Sequence, residues 1–136
     1  MAIWLLKTEP DVYSYDDLER DGQTMWDGVT QNQALQNLRK IKSGDVALIY
    51  HTGDQRAIVG LVEVVCGFYI NPEEDNPKLA VCDVRAKSRL THPVTLAQIK
   101  ANPLLQDWDL VRLARLSVVP VSDEQWQIVR AMSEEV

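Results

Sequence analysis

Apolar residues in this chain gather in short runs that stop at polar or glycine-containing turns. The run Ala2-Ile3-Trp4-Leu5-Leu6 predicts a first strand over about residues 2–7, ended at Pro10, which has no backbone N–H and restricts the residue before it. Ser14 with Asp16 and Asp17 reads as a capped helical turn through Leu18, stopped by Gly22. Ala34, Leu35, Leu38 and Ile41 lie on one face of a helix expected over about residues 31–41, and Thr30 with Gln33 has capping-box spacing at its start. Ser43-Gly44-Asp45 is turn chemistry, Val46 to Tyr50 reads as a strand, and Thr52-Gly53-Asp54 forms the next turn.

Ala57 to Tyr69 is a longer β-rich run with Gly60 and Gly67 inside it, where bulges or bends of a curved sheet are expected. The acidic stretch 71–77 contains two prolines and no periodicity, so it reads as an exposed loop. A strand resumes over residues 79–90, and His92-Pro93 reads as a solvent-facing turn. Thr95 with Gln98 opens a helix that ends ahead of Pro103, Arg115 to Val119 is strand-like, and Ser122 opens a last helix with Trp126 and Val129 on its inner face. Strand-like runs separated by short capped helices predict one α+β domain over residues 1–136, a small, strongly bent β-barrel with the helices packed outside.

Composition narrows the function classes. At 136 residues the chain is in the single-domain range and buries roughly two-thirds of its unfolded surface. No apolar run approaches the ~20 residues that span a bilayer, and no basic segment with an apolar stretch and cleavage site follows Met1. A cytoplasmic, monomeric protein without membrane contact is expected. Cys66 and Cys82 lie in strand-like runs and are expected to be buried thiols; with two histidines and no CxxC, neither a metal nor another cofactor is expected. The net charge of -6 argues against tight, non-specific DNA binding, which needs an excess of Lys and Arg.

Candidate chemistry sits where apolar runs end. Lys7, Thr8 and Glu9 close the first run, Trp26 and Gly28 precede the helix at 31–41, and Tyr50, His51 and Thr52 close another strand. Aromatic rings, small polar groups and a glycine at strand ends are the ingredients of a pocket for a flat polar ring. Trp26 beside a helix start can stack such a ring or simply fill the core; Trp4 and Trp126 read as core, and Trp108 stays unassigned. Alternation puts Lys7 and Glu9 on one side of the strand and Thr8 on the other. His51 suits base-edge recognition or proton transfer, but no nucleophile elbow, P-loop or metal motif accompanies it, so no catalytic residue is assigned. Arg85, Lys87 and Arg89 alternate along one strand face and, with Arg112, form a candidate phosphate-contacting track on an otherwise acidic protein.

These segments, continued by Arg115-Leu116-Ser117, resemble the EVE domain family of the PUA-like superfamily over almost the whole chain. The resemblance implies a PUA-like fold and recognition of a modified cytosine in DNA, or of a modified RNA base, without catalysis. It assigns ligand binding to Lys7, Thr8, Glu9, Trp26, Gly28, Val29, Thr30, Gln33, Tyr50, His51, Thr52, Arg115, Leu116 and Ser117. Thr8 and Thr52 stand where the family commonly has serine, and Thr30 and Leu35 stand in place of two arginines, which removes donors to phosphate or base edges. The rival readings are a small enzyme on a nucleobase or nucleotide, with His51 and Glu9 moving protons, and a pocket for a small metabolite.

Overall fold

The computed structural model describes residues 1–134. Strand β1 (Ile3–Thr8) is the hub of the architecture, because Ile3, Trp4, Leu5 and Leu6 are all buried and both of its edges are paired. It runs parallel to β3 (Val46–His51) on one side and antiparallel to β6 (Val118–Val121) on the other. Strand β4 (Ala57–Ile70) follows β3 across a tight turn and pairs with β5 (Ala80–Thr95), which β2 (Gln23–Trp26) flanks at the outer edge. The resulting six-stranded mixed sheet has the order β2-β5-β4-β3-β1-β6. Among the described residues five α-helices lie between the strands or after them: α1 (Tyr15–Asp21), α2 (Asn32–Leu38), α3 (Leu96–Ala101), α4 (Asp109–Arg112) and α5 (Asp123–Glu134). Helix α5 packs on β5 and α2 on β6.

Gly60 and Gly67 bend the sheet as expected. The β4–β5 register shifts next to each, and a Cβ on Gly60 would lie 2.6 Å from two ring carbons of Tyr15. That ring lies against the strand, and its hydroxyl is 2.7 Å from the Leu61 carbonyl and 3.0 Å from the Ser88 carbonyl. Close packing of this kind ties α1 onto the β4–β5 hairpin.

Local capping is formed at Ser14–Asp17, Thr95–Gln98 and Ser122–Gln125. It is not formed at Thr30 and Gln33. Helix α2 starts one residue later, Gln31 makes no side-chain cap, and the Gln33 amide donates to Asn37 Oδ1 within the helix at 3.3 Å. The helix also stops at Leu38, short of Ile41. His92 and Pro93 belong to β5 rather than to a turn: the ladder is irregular between Arg89 and Val94, where a proline is tolerated, and His92 Nδ1 meets the Ser133 carbonyl at 2.9 Å. Cys82 is buried, but Cys66 is exposed on the outer half of the hairpin. Strand β2 and helix α4 are too short for a periodic signal. Among the described residues no helix is long and apolar enough to cross a membrane.

Candidate functional site

The polar end of β1 opens onto a cavity of about 290 Å³ between this strand, the turn that follows it and β2. Pro10 ends the extended chain, the Val12 and Tyr13 N–H groups both donate to the Glu9 carbonyl, and Thr8 Oγ1 donates to the Tyr13 carbonyl at 2.7 Å. These bonds stand the Tyr13 ring beside Trp26, with centroids 6.4 Å apart and planes at 82°. The edge-to-face pair forms the aromatic part of the wall. Trp26 is almost wholly buried, whereas Tyr13 is half-buried and its hydroxyl donates to Asp21 at 2.8 Å. Burial, reinforced by that carboxylate, pushes the Tyr13 phenol up. Lys7, Thr24, Met25 and Asp27 complete the lining, and Gly28, at φ +79°, turns the backbone away from the rim in a conformation that a Cβ disfavours.

Lys7 and Thr8 both reach this cavity, against the expectation from strand alternation, because the space wraps around the end of β1 instead of lying on one face of it. Lys7 also faces a second cleft of about 330 Å³ on the other side, shared with Tyr50, Thr52, Arg56 and Lys100. Its ammonium donates to the Ala114 carbonyl at 2.9 Å and lies 5.6 Å from the centre of the Tyr50 ring. Burial pulls its pKa down. The Lys7 backbone N–H is held by the Ser117 carbonyl at 3.0 Å.

The other sequence-derived candidates are distributed around this pair of spaces. Val29 and Thr30 line a depression of about 210 Å³ that shares Asp27 and Gly28 with the first cavity. Gln33, Arg115 and Leu116 line a separate one of about 390 Å³, and the Glu9 side chain is exposed. His51 is buried and fully engaged: Nε2 accepts the Tyr15 backbone N–H at 3.0 Å, so the ring proton is on Nδ1, which donates to Gln55 Oε1 at 2.8 Å. It joins β3 to α1 and lines none of these spaces. The expected basic track on β5 is interrupted. Arg85 pairs with Glu63, Arg89 with Asp16 and Glu19, and Arg112 with Asp109. Trp4 and Trp108 are core residues whose indole N–H groups donate to Asp45 and to the Pro120 carbonyl. Tyr13, Arg56 and Lys100 carry no signal in the sequence beyond their residue types.

Among the described residues no group of three His, Cys, Asp or Glu side chains is placed to hold a metal ion. The candidate site is a cavity at the end of a central strand, lined by an aromatic pair and by groups that donate and accept hydrogen bonds. A bent, mixed six-stranded sheet with short helices around it is an α+β fold of the PUA-like class. The EVE domain family model matches residues 2–132, and the chain belongs to that family. Human thymocyte nuclear protein 1 is 29% identical to it over 165 aligned positions, covering 96% of this chain and 73% of that protein. A crystal structure of a protein from Agrobacterium tumefaciens matches at 35% identity with a TM-score of 0.94, covering 98% of this chain and 94% of the other. The crystal structure of human THYN1 protein in complex with 5-methylcytosine-containing DNA matches with a TM-score of 0.91 at 28% identity, covering 100% and 99% of the two chains.

Proposed function

We propose that the protein is a non-catalytic reader of 5-methylcytosine in DNA, acting as a single-domain monomer. It takes the base, rotated out of the stack, into the cavity beside Tyr13 and Trp26. The observation that carries this reading is the cavity itself: its 290 Å³ lies at the lower end of the range for small-ligand sites and combines an aromatic pair with few polar groups. The cytosine edge presents an exocyclic amine, which needs an acceptor such as the Asp27 carboxylate, and acceptors at its ring nitrogen and carbonyl, which the Thr24 hydroxyl can serve. Met25 and Val12 supply apolar surface for a methyl group. The human relative seen with 5-methylcytosine-containing DNA adds independent support. Base flipping suits a protein of net charge -6, which gains affinity from an enclosed base rather than from a broad basic face.

The enzyme reading lacks a proton-transfer pair. His51 has both nitrogens engaged away from the cavity, and the Glu9 side chain is exposed. Binding is therefore the activity, and incubation with 5-methyldeoxycytidine is expected to return it unchanged; a deaminated or hydrolysed product, lost on His51→Ala, would reverse this conclusion.

The binding test is a fluorescence titration with matched oligonucleotides carrying 5-methylcytosine or cytosine, in DNA and in RNA. The methylated DNA is expected to bind most tightly. Tyr13→Ala removes the accessible ring of the pair and should weaken methylated DNA roughly tenfold or more, in line with ~1–3 kcal/mol for stacking. Trp26→Ala should cost more binding than Arg85→Ala. Equal affinity for methylated and unmethylated DNA, or preference for RNA, would overturn the proposal.

A further inference from the structure

We propose that the cleft lined by Lys7, Arg56 and Lys100 binds the backbone phosphate next to the base held in the neighbouring cavity, an assignment that rests on the base-reading proposal above. Most of the arginines on this acidic protein are already matched. Arg20, Arg85, Arg89, Arg112 and Arg130 each form an ion pair with a carboxylate. Lys7, Arg56 and Lys100 have no carboxylate within 4.0 Å among the described residues, and no acidic side chain lines their cleft. Three cations from β1, the β3–β4 turn and α3 thus meet in a space of about 330 Å³ without internal neutralisation.

Each of the three retains donors. The Lys7 ammonium uses one on the Ala114 carbonyl, and it stands over Tyr50 in a half-buried position where the cost of desolvation is uncompensated by an opposite charge. The Arg56 guanidinium uses only Nε, on the Gly53 carbonyl at 3.1 Å, which leaves the NH2 groups for a ligand. Arg56 is also the one non-glycine residue with positive φ among those described, at +45°, and its carbonyl is fixed by the Leu96 N–H at 2.7 Å. Backbone strain held in place by its surroundings at a cleft mouth fits a functional position. Lys100 makes no hydrogen bond or ion pair with its side chain among the described residues.

Lys7 fixes the geometry of the pairing, since it alone lines both spaces. The base cavity and the cationic cleft therefore meet at one residue, the relation that a nucleotide imposes between its ring and its phosphate. On β5, by contrast, Glu63, Asp16 and Glu19 oppose the same phosphate with carboxylates.

The test compares duplex DNA containing one 5-methylcytosine, its unmethylated twin and free 5-methyldeoxycytidine, titrated over a series of salt concentrations. Arg56→Gln/Lys100→Gln is set against Arg85→Gln/Lys87→Gln, with circular dichroism confirming that both variants are folded. The cleft variant should weaken both duplexes at least tenfold at low salt. It should also lower the slope of log affinity against log salt by about 0.9, the contribution of the one phosphate left without its cations. It should leave the methylated-to-unmethylated ratio and the affinity for the free nucleoside unchanged. An unaltered slope, or a loss that follows the β5 variant instead, would overturn the phosphate assignment. Absence of any methyl preference in the unaltered protein would overturn the base reading, while the slopes would still decide the cleft.

Discussion

Two buried side chains, His51 and Asp45, illustrate how polar residues near the site are committed to holding the chain. Replacing His51 by alanine strands the Tyr15 N–H in a buried position, which costs about 1–3 kcal/mol. His51→Ala should lower the urea midpoint by a corresponding amount and leave methylated-DNA affinity within about twofold, measured where the variant is folded. Asp45 accepts the Ala2 N–H at 3.0 Å, the Trp4 indole N–H at 3.0 Å and the Lys42 N–H at 2.9 Å. Burial pulls its pKa upward, but the three donors outweigh that and hold the carboxyl below its ordinary value. A depressed folded-state value means stability present above the unfolded pKa and lost as pH falls through the folded one. Asp45→Asn should thus destabilise the protein by about 1–3 kcal/mol at neutral pH, with the difference from the parent shrinking in acid urea titrations. That Lys7, Thr8, Trp26 and Gly28 line one cavity agrees with the sequence, in which the first two close an apolar run and the other two precede a helix. The place of His51 is not legible there, for a physical reason: its partner is a backbone amide 36 positions away, and no residue pattern encodes that bond. Arg89 misleads likewise, its Asp16 partner lying 73 positions distant.

Elements governed by local rules are the legible ones. Ser14, Thr95 and Ser122 open helices because a side-chain oxygen and a residue three positions on satisfy free N–H groups without help from elsewhere. Strand β2 exists through its pairing with β5, and the extension of β5 past Pro93 through contact with β4 and α5, so neither can be read from its own residues. Gly60 joins the two levels. Its lack of a side chain is visible as a bend signal, but the reason is the Tyr15 ring lying where a Cβ would be. Gly60→Ala should destabilise by about 1–3 kcal/mol, as overpacking does, and Tyr15→Leu in the same chain should recover part of the loss. Urea unfolding of the single and double variants checks this; additive losses would show that the two residues do not compete for space.

On the scale of the molecule, the net charge of -6 describes the whole protein correctly and its site incompletely. Acidic side chains pair with Arg85 and Arg89 on β5, and cations without such partners meet where β1, the β3–β4 turn and α3 come together, a coincidence created only by the folded chain. The two thiols provide a further global readout. Cys82 is buried in the sheet, where desolvation, with Asp83 and Cys66 nearby, pushes its thiol up to about 12. A maleimide should label Cys66 at once in the native protein and Cys82 only through unfolding, so that the slow phase tracks stability in urea. Labelling of both at one rate would place Cys82 in a locally opening region.

Strand β1 lies between β3 and β6, and its Lys7 N–H is held by Ser117. Translation makes β6 more than a hundred residues after β1, so β1 emerges from the ribosome long before its outer neighbour exists. Until Val118 to Val121 are free of the exit tunnel, the apolar edge Ile3 to Leu6 lacks its antiparallel partner and is open to pairing with another chain. Lys7, on which both cavities converge, is likewise not fixed before that moment. A ribosome stalled anywhere upstream of β6 therefore carries a nascent chain that needs chaperone cover and whose cavities are not yet walled.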